Sequence, residues 1–197
     1  MLPVGSTILE IGAGKGWQAR GFQERGYDIS AIDLASNAKR VWPVKFYDGA
    51  HIPYADESFD VVFTSCVLEH IPHVHAFQGE IHRVLRPNGI AVHVLPSSTW
   101  RIWTNVTHLL KWWILPTAHG EPGGNALTEI WYFSRWWWCR LFRETGWTVL
   151  TRTPNRLCYT GHSIMDTHLS LRVRHFLSRA LGSSCNIFVV RKLECAS

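Results

Sequence analysis

No run of 18 uncharged apolar residues occurs in the chain, so no membrane-spanning helix is expected. Its start, "MLPVGSTILEIG", has no basic region ahead of a long apolar stretch, and no signal peptide is expected. Cysteine is sparse and unpatterned: the five residues at 66, 139, 158, 185 and 195 are odd in number and form no Cys-x-x-Cys. They fit reduced thiols in a cytoplasmic protein rather than a disulfide framework. No His-Glu-x-x-His is present, and Pro72 interrupts the spacing of His70, His73 and His75, so no metal is expected. Charge is low at 18% against 46% hydrophobic residues, which excludes a disordered chain and gives a globular one.

What is present suits one domain of 197 residues with a real core. Residues 1–80 carry 6 Lys/Arg against 10 Asp/Glu, and residues 81–197 carry 14 against 5. The basic second half suits an anionic substrate, a membrane surface or nucleic acid, or is simply a set of solvated helix faces. Apolar runs at 6–11, 28–33, 44–48, 59–65, 90–95, 147–154 and 185–192 read as seven strands. Helical patterns fall at 17–26, about 74–85 (stopped by "RPNG"), 99–116, 128–146 and 168–182. The alternation argues for a doubly wound, mostly parallel α/β sheet, with an antiparallel edge strand at the end.

The stretch "ILEIGAGKGWQARGFQERGYDISAID" places a glycine loop between the first strand and the first helix. Such a loop turns backbone N–H groups and a helix N-terminus toward a ligand. The dinucleotide fingerprint asks for Gly-x-Gly-x-x-Gly/Ala. Here Trp17 stands at its third position, and the pattern is Glu10-x-Gly12-x-Gly14-x-Gly16. A nicotinamide-dependent dehydrogenase is therefore a distant alternative. Asp33 closes the second strand, where a carboxylate accepts both hydroxyls of a ribose.

The segments "ILEIGAGKG", "AIDLA", "YDGAHIPYADESFDVV", "CVLEHI" and "EIHRVLRPNGIAVHV" follow in order. In them the chain resembles the class I S-adenosylmethionine-dependent methyltransferases, and most of all the small-molecule branch that includes the quinone-biosynthesis C-methylases. The resemblance covers roughly residues 6–95 densely and runs more loosely to 192. It implies a Rossmann-like methyltransferase fold of seven strands over 1–197 and S-adenosylmethionine as cofactor. It also implies roles: the Gly12–Gly16 loop, helped by Glu10, approaches the amino-acid end of the cofactor, and Asp33 takes the ribose. Asp48 meets the adenine amine, Gly49 lets the ring lie on backbone, and Ser65 and Cys66 line the methionine end. Strand one begins about six residues into the sequence, ahead of which the family usually has covering helices. An open cofactor cleft, or a homo-oligomer that closes it, is the expectation.

Methyl transfer is an in-line displacement from a good leaving group, so alignment and exclusion of water dominate. A base is needed only for a weakly acidic acceptor. His70 is the first candidate and His119 and His162 the second, with packing or a surface place as the alternative for each. The fourth strand is followed by "TSCVLEH", not by an Asn/Asp-Pro-Pro-aromatic segment, and no Pro-Cys pair occurs, so nucleic acid is not an expected acceptor. Tryptophan concentrates after residue 99, at 100, 103, 112, 113, 131, 136, 137 and 138. This predicts a Trp-rich substrate cap or lid at about 99–130, with Trp100, Trp103 and His119 toward the acceptor and Arg101 and Lys111 toward an anionic head group. Ordinary packing is the competing reading. The expected function is methyl transfer to a small or lipid- or glycan-linked acceptor, in the cytoplasm or peripheral to the inner face of the membrane. A non-catalytic S-adenosylmethionine-binding subunit is the alternative.

Overall fold

A computed structural model describes residues 2–35, 39–120, 124–159 and 169–193. Seven strands form one sheet in the order β3-β2-β1-β4-β5-β7-β6. β1 (Thr7–Ile11), β2 (Asp28–Asp33), β3 (Lys45–Phe46), β4 (Phe59–Ser65) and β5 (Leu85–Pro96) are mutually parallel. β7 (Cys185–Lys192) runs antiparallel to both β5 and β6 (Trp147–Pro154), between which it lies. The antiparallel pairing expected at this edge is present, made by β7 and the edge strand β6.

Side-chain alternation assigns the two faces. Ile8, Ile29, Ala31 and Val61 share one face with Ala19 of α1 (Trp17–Gln23). Leu9, Ile11, Ile32 and Val62 share the other with Phe77 and Ile81 of α2 (Val74–Val84) and Phe142 of α5 (Arg135–Glu144). Period 2 along a strand makes this two-sided burial possible.

Three local differences from the sequence reading have physical causes. The "RPNG" turn lies inside β5, where Phe59 pairs with Leu85 but Val61 already pairs with Ile90, so residues 86–89 loop out. Asn88 takes φ 65° there, and a Cβ on Gly89 would come within 3.1 Å of the Asp60 carbonyl. The helix expected over 128–146 is two, α4 (Thr128–Tyr132) and α5, because the Ser134 side chain accepts the Trp137 N–H and starts a new helix. β3 shrinks to two residues.

α3 (Ser98–Trp112) follows β5 directly and is capped by Ser97, whose side chain accepts the Trp100 N–H. It carries the tryptophan-rich region to the C-terminal ends of the parallel strands, where α/β sheets bind ligands. α6 (Leu171–Leu181) packs beside it, Trp103 Nε1 donating to Leu181 O at 2.7 Å.

Candidate active site

The loops after β1, β2, β3 and β4 enclose a cavity of about 540 Å³ lined by Gly12, Asp33, Tyr47, Asp48, Gly49, Cys66 and His70, among others. Gly12 is required on two counts. Its φ is +75°, and a Cβ there would stand 2.2 Å from Val67 Cγ2. Gly16, at φ +83°, begins α1 hard against Trp42. Gly14 donates its N–H to Asp33 Oδ2, and Asp33 Oδ1 accepts from Leu34 N at 2.6 Å. The acid at the end of β2 therefore ties the glycine loop to its own strand.

Asp48 is a loop organiser: Oδ1 accepts from Ala50 N at 2.8 Å and His51 N at 2.7 Å, and Oδ2 meets His51 Nδ1 at 3.0 Å. The His51 backbone and ring hold its carboxyl well below the usual carboxylate range and draw the His51 pKa up in return. Burial, with the charges of Asp33 and Asp48, pushes the Tyr47 phenol up to about 12, so it stays a donor.

Glu10, Gly14, Gly16 and Ser65 do not line this cavity. Glu10 is 1% exposed, and burial pushes its pKa up to about 7 from an ordinary 4.5. The folded chain thus holds a proton that the unfolded chain releases above about pH 4.5. The stabilisation is complete below that pH and is lost as pH rises through about 7. Glu10→Gln is expected to abolish this loss, so the melting temperature of the variant falls less than that of the parent between about pH 5 and 8. A parallel decline in thermal denaturation would show that Glu10 is already ionised in the fold.

A second cavity of about 340 Å³ is lined by Trp100, Arg101, Thr104, Thr117, His119, Tyr159, Ser184 and Cys185, and it shares Cys66 with the first. Cys66 adopts φ 54°, a left-handed conformation costing about 1–2 kcal/mol in a non-glycine residue, and its N–H donates to Val94 O at 2.9 Å. The neighbouring Cys185 thiol, together with burial, pushes the Cys66 thiol up, and Cys66 draws Cys185 down in return.

His70 ends a 3-10 turn, Leu68–His70, on the first cavity. Its ring meets that of His119 at 4.8 Å between centroids, and His119 also meets Trp100 at 4.9 Å. Two histidines chosen separately from the sequence are thus neighbours. His73 and His75 do not join them; His75 faces Glu144 and Trp137. His162 lies outside the described residues.

Trp100 lines the second cavity, but Trp103 does not: its indole is turned toward α6. Arg101 is not available to a head group. It is 2% exposed and pairs with the fully buried Glu129 at 2.7 Å. Arg101 Nη2 also donates to Thr117 O at 2.7 Å, and Glu129 Oε1 accepts from the N–H groups of His119 and Gly120. This pair fixes the segment that carries His119.

Sequence reasoning missed Glu69, Glu129 and Cys185. Glu69 is fully buried beside His70, and burial pushes its pKa up to about 8. Its only signal was an acid immediately before a histidine in the turn that follows β4.

The methyltransferase domain profile matches residues 1–152. An uncharacterized methyltransferase of Mycobacterium sp. (strain KMS) is 33% identical over 97 residues, covering 46% of this chain and 38% of that protein. The chain thus spans about two fifths of the length of the curated relatives it matches. A methyltransferase structure from Methanosarcina mazei superposes with TM-score 0.65 at 15% identity, covering 98% of this chain and 94% of that one. The 1,6-didemethyltoxoflavin N1-methyltransferase of Burkholderia thailandensis, solved with bound 1,6-didemethyltoxoflavin and S-adenosylhomocysteine, gives TM-score 0.59 at 15% identity over 96% and 72% of the two chains. These structures share the fold.

Proposed function

The chain belongs to the methyltransferase domain family of class I S-adenosylmethionine-dependent enzymes, and on that premise we propose that it methylates a small, lipid-linked acceptor. One observation carries this reading: the cavity of Gly12, Asp33 and Asp48 and the cavity of Trp100 and His119 meet at Cys66. A cofactor on one side and an acceptor on the other share a single contact point. When bound, S-adenosylmethionine supplies a methyl group on a positively charged sulfur.

The chain's own residues do the rest. Gly12 keeps the floor of the first cavity free of a side chain, and Asp33 exchanges its hold on Gly14 for ribose hydroxyls. Gly14 and Gly16 shape the loop, with the buried Glu10 behind it. Asp48 and Gly49 border the adenine end and Cys66 the methionine end, with Ser65 just before it as the last residue of β4. Trp100 and His119 wall the acceptor side, and His70 and His119 are the groups placed to hold an acceptor proton. Residues 99–120 and 124–130 are the cap over this side of a single domain, and the acceptor reading puts the chain with the small-molecule branch.

Calorimetry with S-adenosylhomocysteine and with NAD tests the cofactor assignment. Binding of the first and not the second is expected. Binding of NAD alone would overturn the reading.

The lipid link rests on the distal end of α3. Leu110, Trp113 and Ile114 are 74%, 85% and 62% exposed, and Lys111 Nζ lies 4.4 Å over the Trp112 ring. Three large apolar groups in water beside a cation suit an anionic bilayer surface. No helix among the described residues is long and apolar enough to cross one. Burial of a Leu or Trp gains on the order of 1.5–3 kcal/mol. Leu110→Glu with Trp113→Glu is therefore expected to lower the partition onto phosphatidylglycerol–phosphatidylcholine vesicles, read by co-sedimentation, by at least roughly 100-fold and to spare S-adenosylhomocysteine binding. Unchanged pelleting would remove the membrane from the proposal.

A further inference from the structure

We propose that Glu69, His70 and His119 bind a divalent transition-metal ion, and that this ion positions a hydroxyl of the acceptor. One carboxylate oxygen and two ring nitrogens of these residues lie within 4.8 Å of one another. Metal–ligand bonds of about 2.0–2.1 Å need the three atoms somewhat closer, which a turn of the two exposed imidazoles supplies.

The independent sign is Glu69 itself. Its side chain is 0% exposed, and neither carboxylate oxygen meets a hydrogen-bond donor among the described residues outside its own backbone. His70 Nε2 stands 4.0 Å from its Oε1. A buried acid without donors is costly and asks for an explanation. A cation beside it is one.

The partner from the distant segment is held in place rather than resting there by chance. Gly120 packs so tightly that a Cβ would fall 2.5 Å from the Glu69 carbonyl oxygen. The Glu129 carboxylate, itself paired with Arg101, accepts the N–H groups of both His119 and Gly120. The fold therefore presses the His119 segment onto the Glu69–His70 turn and locks it with a buried ion pair. Such outer support is what metal ligands need to keep their orientation.

Two imidazoles and one carboxylate suit zinc, cobalt, manganese or iron, and leave coordination positions open. His70 lines the first cavity and His119 the second, so an ion held between them stands near the junction of the two cavities, where an acceptor oxygen can reach it. The acceptor class is then a hydroxyl-bearing small molecule. With the ion bound the two imidazoles serve as ligands and not as bases, so the O–H proton passes to water as the oxygen binds the ion. The O–C bond forms as the C–S bond of S-adenosylmethionine breaks, leaving S-adenosylhomocysteine. This acceptor role rests on the methyl-transfer reading; the ion site itself does not.

Zinc and cobalt(II) are the probes. The chelator-treated chain is expected to take up one equivalent of zinc by calorimetry, and cobalt(II) to give visible absorption bands. Loss of an outer-shell partner lowers metal affinity about 10–100-fold, so His119→Ala and Glu69→Gln are each expected to cost at least that. His75→Ala, on the neighbouring helix, is the control and changes nothing. No uptake, or uptake indifferent to His119→Ala, overturns the site. Acetohydroxamate, a small oxygen chelate, is expected to shift the cobalt bands; unshifted bands overturn the acceptor role. S-adenosylhomocysteine binding is measured on the same samples. Metal uptake without it would leave the ion standing and remove methyl transfer, whereas the converse would remove the ion alone.

Discussion

Asp33→Ala is expected to weaken S-adenosylhomocysteine binding by roughly 30–150-fold, the equivalent of about 2–3 kcal/mol for hydrogen bonds to a charged group. The carboxylate stands at the C-terminal end of β2 and borders the first cavity. Its present contacts are two backbone N–H groups, those of Gly14 and Leu34, which water can satisfy when the side chain is cut back. The fold should therefore survive. Asp33→Asn keeps an acceptor oxygen without the charge and should lose less. Calorimetry on the three proteins gives the order, and unchanged affinity in a folded Asp33→Ala protein would take the ribose assignment away.

Glu129→Ala is expected to lower the melting temperature by roughly 6–20 °C. Breaking a buried ion pair costs about 3–5 kcal/mol, and in a chain of this size each kcal/mol is about 2–4 °C. Removing Glu129 strands the Arg101 guanidinium and leaves the His119 and Gly120 N–H groups without their acceptor. Glu129→Gln retains an oxygen for those two donors and should fall by less. Arg101→Met with Glu129→Leu removes both charges yet still orphans the donors, so its melting temperature should recover only in part. Full recovery would mean that the pair, and not the pinned segment, is what the region depends on. Calorimetric melting decides between them.

The strands were legible because a sheet buried on both faces demands largely apolar runs. β2, β4 and β7 coincide with theirs, "DISAID", "FDVVFTS" and "CNIFVVRK". The glycine loop was legible because positive φ leaves a mark on composition, as at Gly12 and Gly16. The boundary between α4 and α5 was not: the apolar pattern runs on through Phe133 and Ser134, and only the cap on Trp137 breaks it. Trp100 and Trp103 sit within one turn of one helix, so the rotation of α3 about its axis decides which meets the cavity. Arg101 reads as a surface cation until Glu129 is placed opposite it. The meeting of His70 with His119 depends on how the segment after α3 folds back, which no local pattern encodes.

β7 is made by the ribosome after every other strand, yet its place is between β5 and β6. Until Cys185–Lys192 has been synthesised, β6 has no neighbour and β5 presents an open edge. A nascent chain at that stage can shape the glycine loop, but the second cavity still lacks its Ser184–Cys185 wall. The two cavities are therefore completed at different moments of synthesis. A premature stop ahead of Cys185 would release a protein with the first site and two unpaired strand edges, a substrate for aggregation and proteolysis.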